Sequence, residues 1–169
     1  MAQLSDGVGI RGEVRVYVFD GDLPPMTTAE LAGFVDTRAR DECADYYETA
    51  NLVTNVGRER MTKLIVGEST VGFGYIGLTT SLTTPTVGLA TLTNKIKRNP
   101  CSVKESISTY YQRYIAYFTA SDFTSTGIAG AGGFDTVSTG GNMYAAASIT
   151  LSKSAAQGAV VEWRIQATT

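Results

Sequence analysis

The sequence predicts a mainly β protein, a jelly-roll-like β-sandwich with one or two helices inserted near residues 27–66. Three observations support this prediction. Several short segments alternate apolar and polar residues with a period of two, glycine-rich turns separate them, and the two segments predicted as helices both lie before residue 68. Many short alternating strands with few helices are typical of antiparallel sheets packed face to face.

The composition limits the size of the protein and the class of its partners. The chain has 169 residues, enough for one main core, and 43% of them are hydrophobic. Only 18% are charged, below the roughly 25% that is usual for soluble chains. We therefore expect other chains to cover part of the surface. The net charge of -2 is no electrostatic reason to expect nucleic acid or an anionic membrane as partner.

The residue types present also limit the chemistry. The chain has no histidine, which excludes histidine general bases, histidine-dependent nucleophiles and histidine metal ligands. We expect no enzyme, no cofactor and no metal. Cys43 and Cys101 are too few for a zinc site; they can pair with each other, pair with a neighbouring chain, or stay as buried thiols. No apolar run approaches the roughly 20 residues that span a bilayer, and the N-terminus lacks signal-peptide features, so we expect a soluble chain made in the cytoplasm.

The first strand is predicted at residues 13–19, where EVRVYVF alternates, and the turn DGDLPP ends it. Residues 20–48 hold eight of the sixteen acids against two arginines. We interpret residues 1–48 as an N-terminal β-arm and acidic connector, and residues 49–169 as the β-sandwich domain. Asp20 and Asp22 resemble part of a calcium loop, but the rest of that pattern is missing, which favours an ordinary polar turn.

Two segments have helical patterns. TTAELAGF favours a helix start, with Thr27 or Thr28 as the cap, although Gly33 weakens it. Residues 52–67 place apolar side chains near one face and cations on the other, so we predict a helix with Asn51 as its cap or first residue. Gly57 in this segment indicates a point where a strand passes close to the helix.

The remaining strands are predicted from alternation and composition. Residues 71–79 combine aromatic and β-branched residues with glycines, and residues 106–118 are rich in tyrosine. Residues 127–134 are glycine-rich and predict a bend or bulge. Residues 142–151 and 159–166 alternate, which predicts two strands each with one inward face. The segment LATLTNKIKRNP fits either a short helix or a strand, ended by Pro100.

Two groups of charged residues are candidates for partner contacts. Asp41, Glu42 and Asp45 lie at helical spacings, which predicts a solvated or partner-facing acidic face; paired carboxylates of a glycan hydrolase are the alternative. Arg58 and Arg60 carry the opposite charge. They indicate complementary contacts, either within one chain or between neighbours in a ring.

A cluster of tyrosines around Arg113 is the third candidate. Packing in the core or in an interface explains the aromatic rings, and stacking on sugars or bases is the alternative. The glycine pattern at residues 72–77 spells G-x-G-x-x-G, but no helix follows as a dinucleotide site requires, so close packing of strands is favoured. The candidate interface residues are Arg58, Arg60, Asp41, Glu42, Asp45, Tyr110, Tyr111 and Tyr114.

Several of these motifs, taken in order, resemble a group of tailed-bacteriophage virion structural proteins. Residues 51–58, NLVTNVGR, match the group's N-L-V-T-N-x-G-R helix motif. Residues 75–79 match the strand that follows, and residues 83–85 match its threonine and proline loop. The segments 128–134 and 163–165 resemble the group's I-x-E-A-G-L-F and W-R-I elements. The resemblance covers roughly residues 49–169.

The resemblance implies a component of the virus particle: a head decoration, collar or neck, tail or fibre-base protein. It implies assembly in multiple copies with itself and other virion proteins, without catalysis or cofactor. The expected location is the virion, after synthesis in the host cytoplasm. Gly130 stands where the group has a glutamate, and the loop before Pro85 has fewer glycines. The alternative function is a receptor- or glycan-binding module of a tail fibre, with the tyrosines as contact residues.

Overall fold

The computed structural model describes residues 9–68, 72–81, 84–109, 111–137 and 141–168. These ranges contain nine strands and three helices, so the prediction of a mainly β protein is confirmed. The elements in chain order are β1 Gly9–Asp20, α1 Thr28–Thr37, α2 Ala39–Glu42, β2 Asp45–Val53, α3 Asn55–Ile65, β3 Tyr75–Thr79, β4 Lys95–Pro100, β5 Val103–Ser108, β6 Tyr111–Phe118, β7 Ser125–Phe134, β8 Met143–Lys153 and β9 Gln157–Thr168.

The two layers of the sandwich are halves of one continuous antiparallel sheet, in the order β4-β3-β7-β8-β2-β1-β9-β6-β5. Strand β2 belongs to both halves, because its first seven residues pair with β1 and its last two pair with β8. We call the strands from β1 to β5 in this order the β1 half, and those from β4 to β8 the β8 half. The edge strands β4 and β5 are joined by only two residues, Cys101 and Ser102.

The main core lies between the two halves. Alternating residues of β1 and β9 face inward from one half, and those of β3 and β8 face inward from the other. The inward faces predicted for residues 142–151 and 159–166 are confirmed except at Met143, which is buried in a separate cluster with Phe134 and Ala146. The buried residues that meet in this core include Val14, Val16, Val18, Ile76, Leu78, Ala145, Ala147, Ile149, Leu151, Val161, Trp163 and Ile165.

The N-terminal region contributes an inner strand of the sheet. Strand β1 pairs with β9 along all twelve of its residues and with β2 on its other side. The predicted segments 1–48 and 49–169 therefore share one sheet, and the boundary between them falls inside β2. Alternation of polar and apolar residues does not distinguish a strand of a separate arm from an inner strand of the sheet. In β1 the alternating polar residues make ion pairs on the outer face of the sheet.

Helices α1 and α2 cover part of the outer face of the β1 half. Leu31, Phe34 and Val35 of α1 are buried in a second hydrophobic cluster with residues of β1, β5, β6 and β9. The cap is Thr27, whose hydroxyl accepts from the amide of Glu30 while the Glu30 carboxylate accepts from the amide of Thr27. Three helices are present where one or two were expected, all inside the predicted region.

The NLVTNVGR segment is a strand end followed by a helix start. The predicted placement of Asn51 at the helix start is wrong, because β2 continues to Val53, which is buried and opposite Ala145 of β8. Thr54 caps α3: its hydroxyl accepts from the amide of Gly57 and donates to the carbonyl of Met143 at 2.5 Å.

Gly57 confirms the predicted close approach of a strand to the helix. A Cβ atom at this position would lie 2.0 Å from the carbonyl oxygen of Tyr144 in β8. Only glycine, which has no side chain, allows the first turn of α3 to lie this close to the strand. Helix α3 is thereby held against the end of β8.

The other strand predictions have mixed outcomes. The strand predicted at residues 71–79 begins only at Tyr75, and residue 71 lies outside the described residues. The segment LATLTNKIKRNP, for which the sequence fits either a short helix or a strand, contains strand β4. The predicted bulge at residues 127–134 is confirmed, because the register of β7 against β8 shifts within this range.

Candidate interaction surfaces

The predicted acidic face is not a helical face. Helix α2 ends at Glu42, and the chain then joins the sheet, with the amide of Ala44 donating to the carbonyl of Val18 at 2.7 Å. Asp41, Glu42 and Asp45 are all exposed and are named the acidic group below. Glu42 accepts from Arg38 one turn earlier at 2.7 Å, and the Asp45 carboxylate accepts from the next amide of its own chain.

The two predicted arginines lie on α3. Arg58 is exposed and Arg60 is half-buried, and neither has an ion pair with a carboxylate within the described ranges. Lys63, two turns into the helix, pairs with Glu59 of the same helix at 2.5 Å. The exposed valines Val66 and Val87 lie beside the two ends of α3, since the carbonyl of Val87 accepts from the first amide of the helix.

The acidic group and the arginines of α3 lie at opposite ends of β2. Strand β2 has nine residues, and a strand rises about 3.3 Å per residue, so the two groups are roughly 27 Å apart. At physiological ionic strength, exposed charges are screened beyond about 8 Å. In agreement with this separation, no ion pair joins the acidic group to Arg58 or Arg60 within the described ranges.

The tyrosines are divided between two faces of β6. Tyr114 points into the core, where its ring lies 4.4 Å from that of Phe73, measured between centroids. Tyr111 and Tyr117 lie on the outer face, at opposite ends of the strand. Tyr110 lies outside the described residues. The structure thus does not bring Tyr111, Tyr114 and Tyr117 together into one contact patch.

A network of charged side chains covers the outer face of the β1 half. Pairing places Glu13 of β1 opposite Arg164 of β9, and Arg164 opposite Arg113 of β6. One row further along, Arg15 is opposite Glu162. This charged lattice consists of Glu13, Arg15, Glu48, Glu105, Arg113, Glu162 and Arg164.

Glu162 is the centre of the lattice and is fully buried. One carboxylate oxygen accepts from Arg164 Nε at 2.7 Å and lies 3.5 Å from Arg113 Nη1. The other accepts from the Tyr17 hydroxyl at 3.3 Å and lies 4.0 Å from Arg15 Nη1. A buried carboxylate is costly unless it is paired and hydrogen-bonded. The three guanidinium groups offset that cost.

The lattice shifts the pKa values of its members and attaches a helix to the sheet. Burial lowers the pKa of Arg164, but the hydrogen bond and charge of Glu162 outweigh burial and raise it overall. Burial, then the charge of Glu162, raises the pKa of Tyr17. Arg113 holds Asp36 of α1 through both terminal nitrogens and Glu105 of β5 through Nε at 2.7 Å. Arg113 therefore ties α1 to the sheet.

A cleft of about 240 Å³ adjoins the lattice. Its outer row is formed by Arg11, Gln166 and Tyr111 on three neighbouring strands, and its inner row contains Glu13 and Arg164. We call it the lattice cleft. The sequence carried a partial signal for it, since charges of opposite sign alternate on the outer faces of β1 and β9. That signal did not show which strands are neighbours.

A second cleft, of about 360 Å³, lies beside the turn after β1. The Tyr117 hydroxyl in its wall donates to the Asp22 carboxylate at 2.7 Å and accepts from the amide of Leu23 at 2.8 Å. The hydrogen bond from Tyr117, with a second one from the amide of Ala120, lowers the pKa of Asp22. Asp20 accepts instead from the Gln157 amide group at 3.0 Å. The DGD turn thus uses both aspartates in bonds to the protein itself.

The chain matches no protein-family model, no curated protein and no solved structure. Among the described residues, no helix is long and apolar enough to cross a membrane, and no three acidic or cysteine side chains are grouped to hold a metal ion. Cys43 and Cys101 are both free thiols. The function is therefore inferred from the surfaces described above and from the resemblance of the sequence.

Proposed function

We propose that the chain is a non-enzymatic structural component of a tailed-phage particle, assembled in multiple copies through subunit interfaces. Head decoration, collar or neck, tail and fibre base are the positions that the resemblance of residues 49–169 suggests. One structural observation carries the assembly part of the proposal. The acidic group and the arginines of α3 lie at opposite ends of β2, and no ion pair joins the two groups within the described ranges.

Two different surfaces of opposite charge favour head-to-tail contacts. In such an arrangement the acidic group of one copy contacts Arg58 and Arg60 of the next, which produces a ring or an extended array. Exposed ion pairs contribute only about 0–1 kcal/mol each, so they orient the copies more than they hold them. Val66 and Val87, 60% and 43% exposed beside α3, supply apolar surface at the same contact.

The NLVTNVGR motif, on which the resemblance depends, stabilises the fold. Thr54 uses its hydroxyl to cap α3 and to bind β8, and Gly57 permits the close contact with Tyr144. Arg58 follows directly and is left exposed. This segment therefore supports a structural role in which the helix is held rigidly and presents its cations to a neighbour.

Charge reversal tests the assembly by sedimentation velocity. Variant A carries Arg58→Glu and Arg60→Glu, and variant B carries Asp41→Lys and Asp45→Lys. We expect the wild type to form multimers, each variant alone to be monomeric, and an equimolar mixture of A and B to assemble again. Lys104→Glu, on exposed edge strand β5, is the matched control and should assemble as the wild type does.

The place in the particle is tested separately. Mass spectrometry of purified phage and labelling with an antibody against this chain should detect it in repeated positions. A wild-type protein that is monomeric at high concentration and absent from purified particles would refute the proposed function.

A receptor- or glycan-binding module of a tail fibre is the second candidate function. The lattice cleft favours it, because Tyr111 there adjoins two arginines. A binding role at this cleft is compatible with assembly through the ends of β2, since the two use different surfaces.

A further inference from the structure

The walls of the lattice cleft are positioned by the register of three strands. Gln166 of β9 is the pairing partner of both Arg11 on β1 and Tyr111 on β6. The three side chains therefore lie side by side on the outer face. Such placement on inner strands is more rigid than placement on loops.

Arg164 is held in place by the buried Glu162. Its Nε donates to the fully buried Glu162 at 2.7 Å, and its guanidinium group is also hydrogen-bonded to Tyr111. The guanidinium carbon lies 6.0 Å from the centre of the Tyr111 ring. A guanidinium fixed at one nitrogen loses little further freedom when it binds a ligand, which lowers the cost of binding.

The charges of the cleft favour an anion with one negative charge. Arg11 is exposed and has no ion pair within the described ranges, and Glu13 is already paired with Arg15 outside the cleft. Since Arg164 is paired with Glu162 and Glu13 with Arg15, Arg11 supplies the one positive charge of the lining that has no carboxylate partner within the described ranges. A monocarboxylate matches this charge, whereas a phosphate dianion would leave an excess negative charge beside Glu13.

We propose that the lattice cleft binds a small carboxylate that also carries hydroxyl groups, the chemistry of a uronic acid. Arg11 and the terminal nitrogens of Arg164 hold the carboxylate, because the planar fork of a guanidinium matches its two oxygens. The Gln166 amide and the Tyr111 hydroxyl are within the same cleft and bond the ligand hydroxyls. The volume of about 240 Å³ limits the ligand to a single sugar unit. This binding role goes beyond the proposed assembly and does not depend on it.

Isothermal titration of the full chain tests the proposal with glucuronate, glucose and inorganic phosphate as probes. We expect saturable glucuronate binding in the millimolar range, and binding of glucose and phosphate that is weaker by about tenfold or more. Arg11→Gln removes an exposed charge and should weaken glucuronate binding by about tenfold or more. Lys104→Gln, an exposed cation on β5, is the matched control and should leave the affinity unchanged.

Several results would overturn the proposal. These are no saturable glucuronate binding, equal affinity for glucose and glucuronate, tighter binding of phosphate than of glucuronate, or equal glucuronate affinity of Arg11→Gln and wild type. None of them concerns the mass of the assembly, so the binding role and the proposed assembly can fail independently.

Discussion

Replacing Glu162 by glutamine removes the charge at the centre of the lattice while keeping the shape of the side chain. Glu162 is fully buried, and its nearest guanidinium nitrogen, Arg164 Nε, is 2.7 Å away. Arg113 and Arg15 keep other carboxylate partners in the variant. Arg164 has no other carboxylate partner among the described residues, and its side chain is only 16% exposed.

The expected cost follows from leaving this arginine unpaired. Breaking a buried ion pair by removing one partner costs about 3–5 kcal/mol. Because Arg164 keeps some contact with water, we expect the lower end, a loss of about 3 kcal/mol in the free energy of unfolding. For a domain of this size, that loss lowers Tm by roughly 6–12 °C.

Urea unfolding followed by tryptophan fluorescence measures the effect directly. Trp163 is the single tryptophan of the chain, is buried in the main core and directly follows the substituted residue. Glu105→Gln is the matched control: this carboxylate also pairs with Arg113 but is 37% exposed, so its loss should cost below about 1 kcal/mol.

A double variant separates the unpaired charge from other effects. Glu162→Gln with Arg164→Met removes both members of the central pair and should be more stable than Glu162→Gln alone, because no guanidinium is left without its carboxylate. If Glu162→Gln lowers the free energy of unfolding by no more than Glu105→Gln does, then Glu162 does not hold the arginines of the lattice, and the central role given to Glu162 is wrong.

Three further predictions concern single residues. Gly57→Ala places a Cβ 2.0 Å from a carbonyl oxygen of β8 and should lower the free energy of unfolding in urea by about 1–3 kcal/mol. Gly33→Ala in α1 has open space around it and should leave that free energy unchanged or raise it. Equal effects of the two substitutions would contradict the close contact at Gly57. The lowered pKa of Asp22 means that its contribution is present above the ordinary carboxyl pKa of about 3.9 and is lost as the pH falls through the lower folded-state pKa. The stability difference between wild type and Asp22→Asn should therefore shrink in acid, and a difference independent of pH would refute this. Burial raises the pKa of Cys101 to about 12, so only Cys43 should react with a thiol reagent in the native protein at pH 8; two fast-reacting thiols would contradict the burial.

Elements whose signal is local were predictable from the sequence. The inward face of β9 was predicted correctly, and that of β8 was predicted correctly except at Met143, because period-two alternation is a property of the strand itself. The capping box of α1 and the close approach at Gly57 are also local: a cap needs a hydroxyl and a carboxylate three residues apart, and a tight contact needs a missing side chain.

The end of β2 and the start of α3 required the tertiary structure. Residues 51–53 fit a helical pattern as well as a strand, and pairing with β8 decided for the strand. That pairing moved the helix cap from Asn51 to Thr54. The pairing of β2 with β1 ended the helical spacing of the acids before Asp45. At residues 51–53 the local sequence fits a helix and a strand equally well, and hydrogen bonds between residues far apart in the chain decided between them.

The sequence by itself determined a mainly β chain, the inward faces of its strands, and the residues available to cap its helices, because each depends on neighbours along the chain. Only the tertiary structure decided that β1 is an inner strand, that Glu162 lies among three arginines, and that the acidic group and Arg58 are at opposite ends of β2. These depend on which strands are neighbours and in what register. Residues far apart in the chain contribute to that choice through the core they bury together.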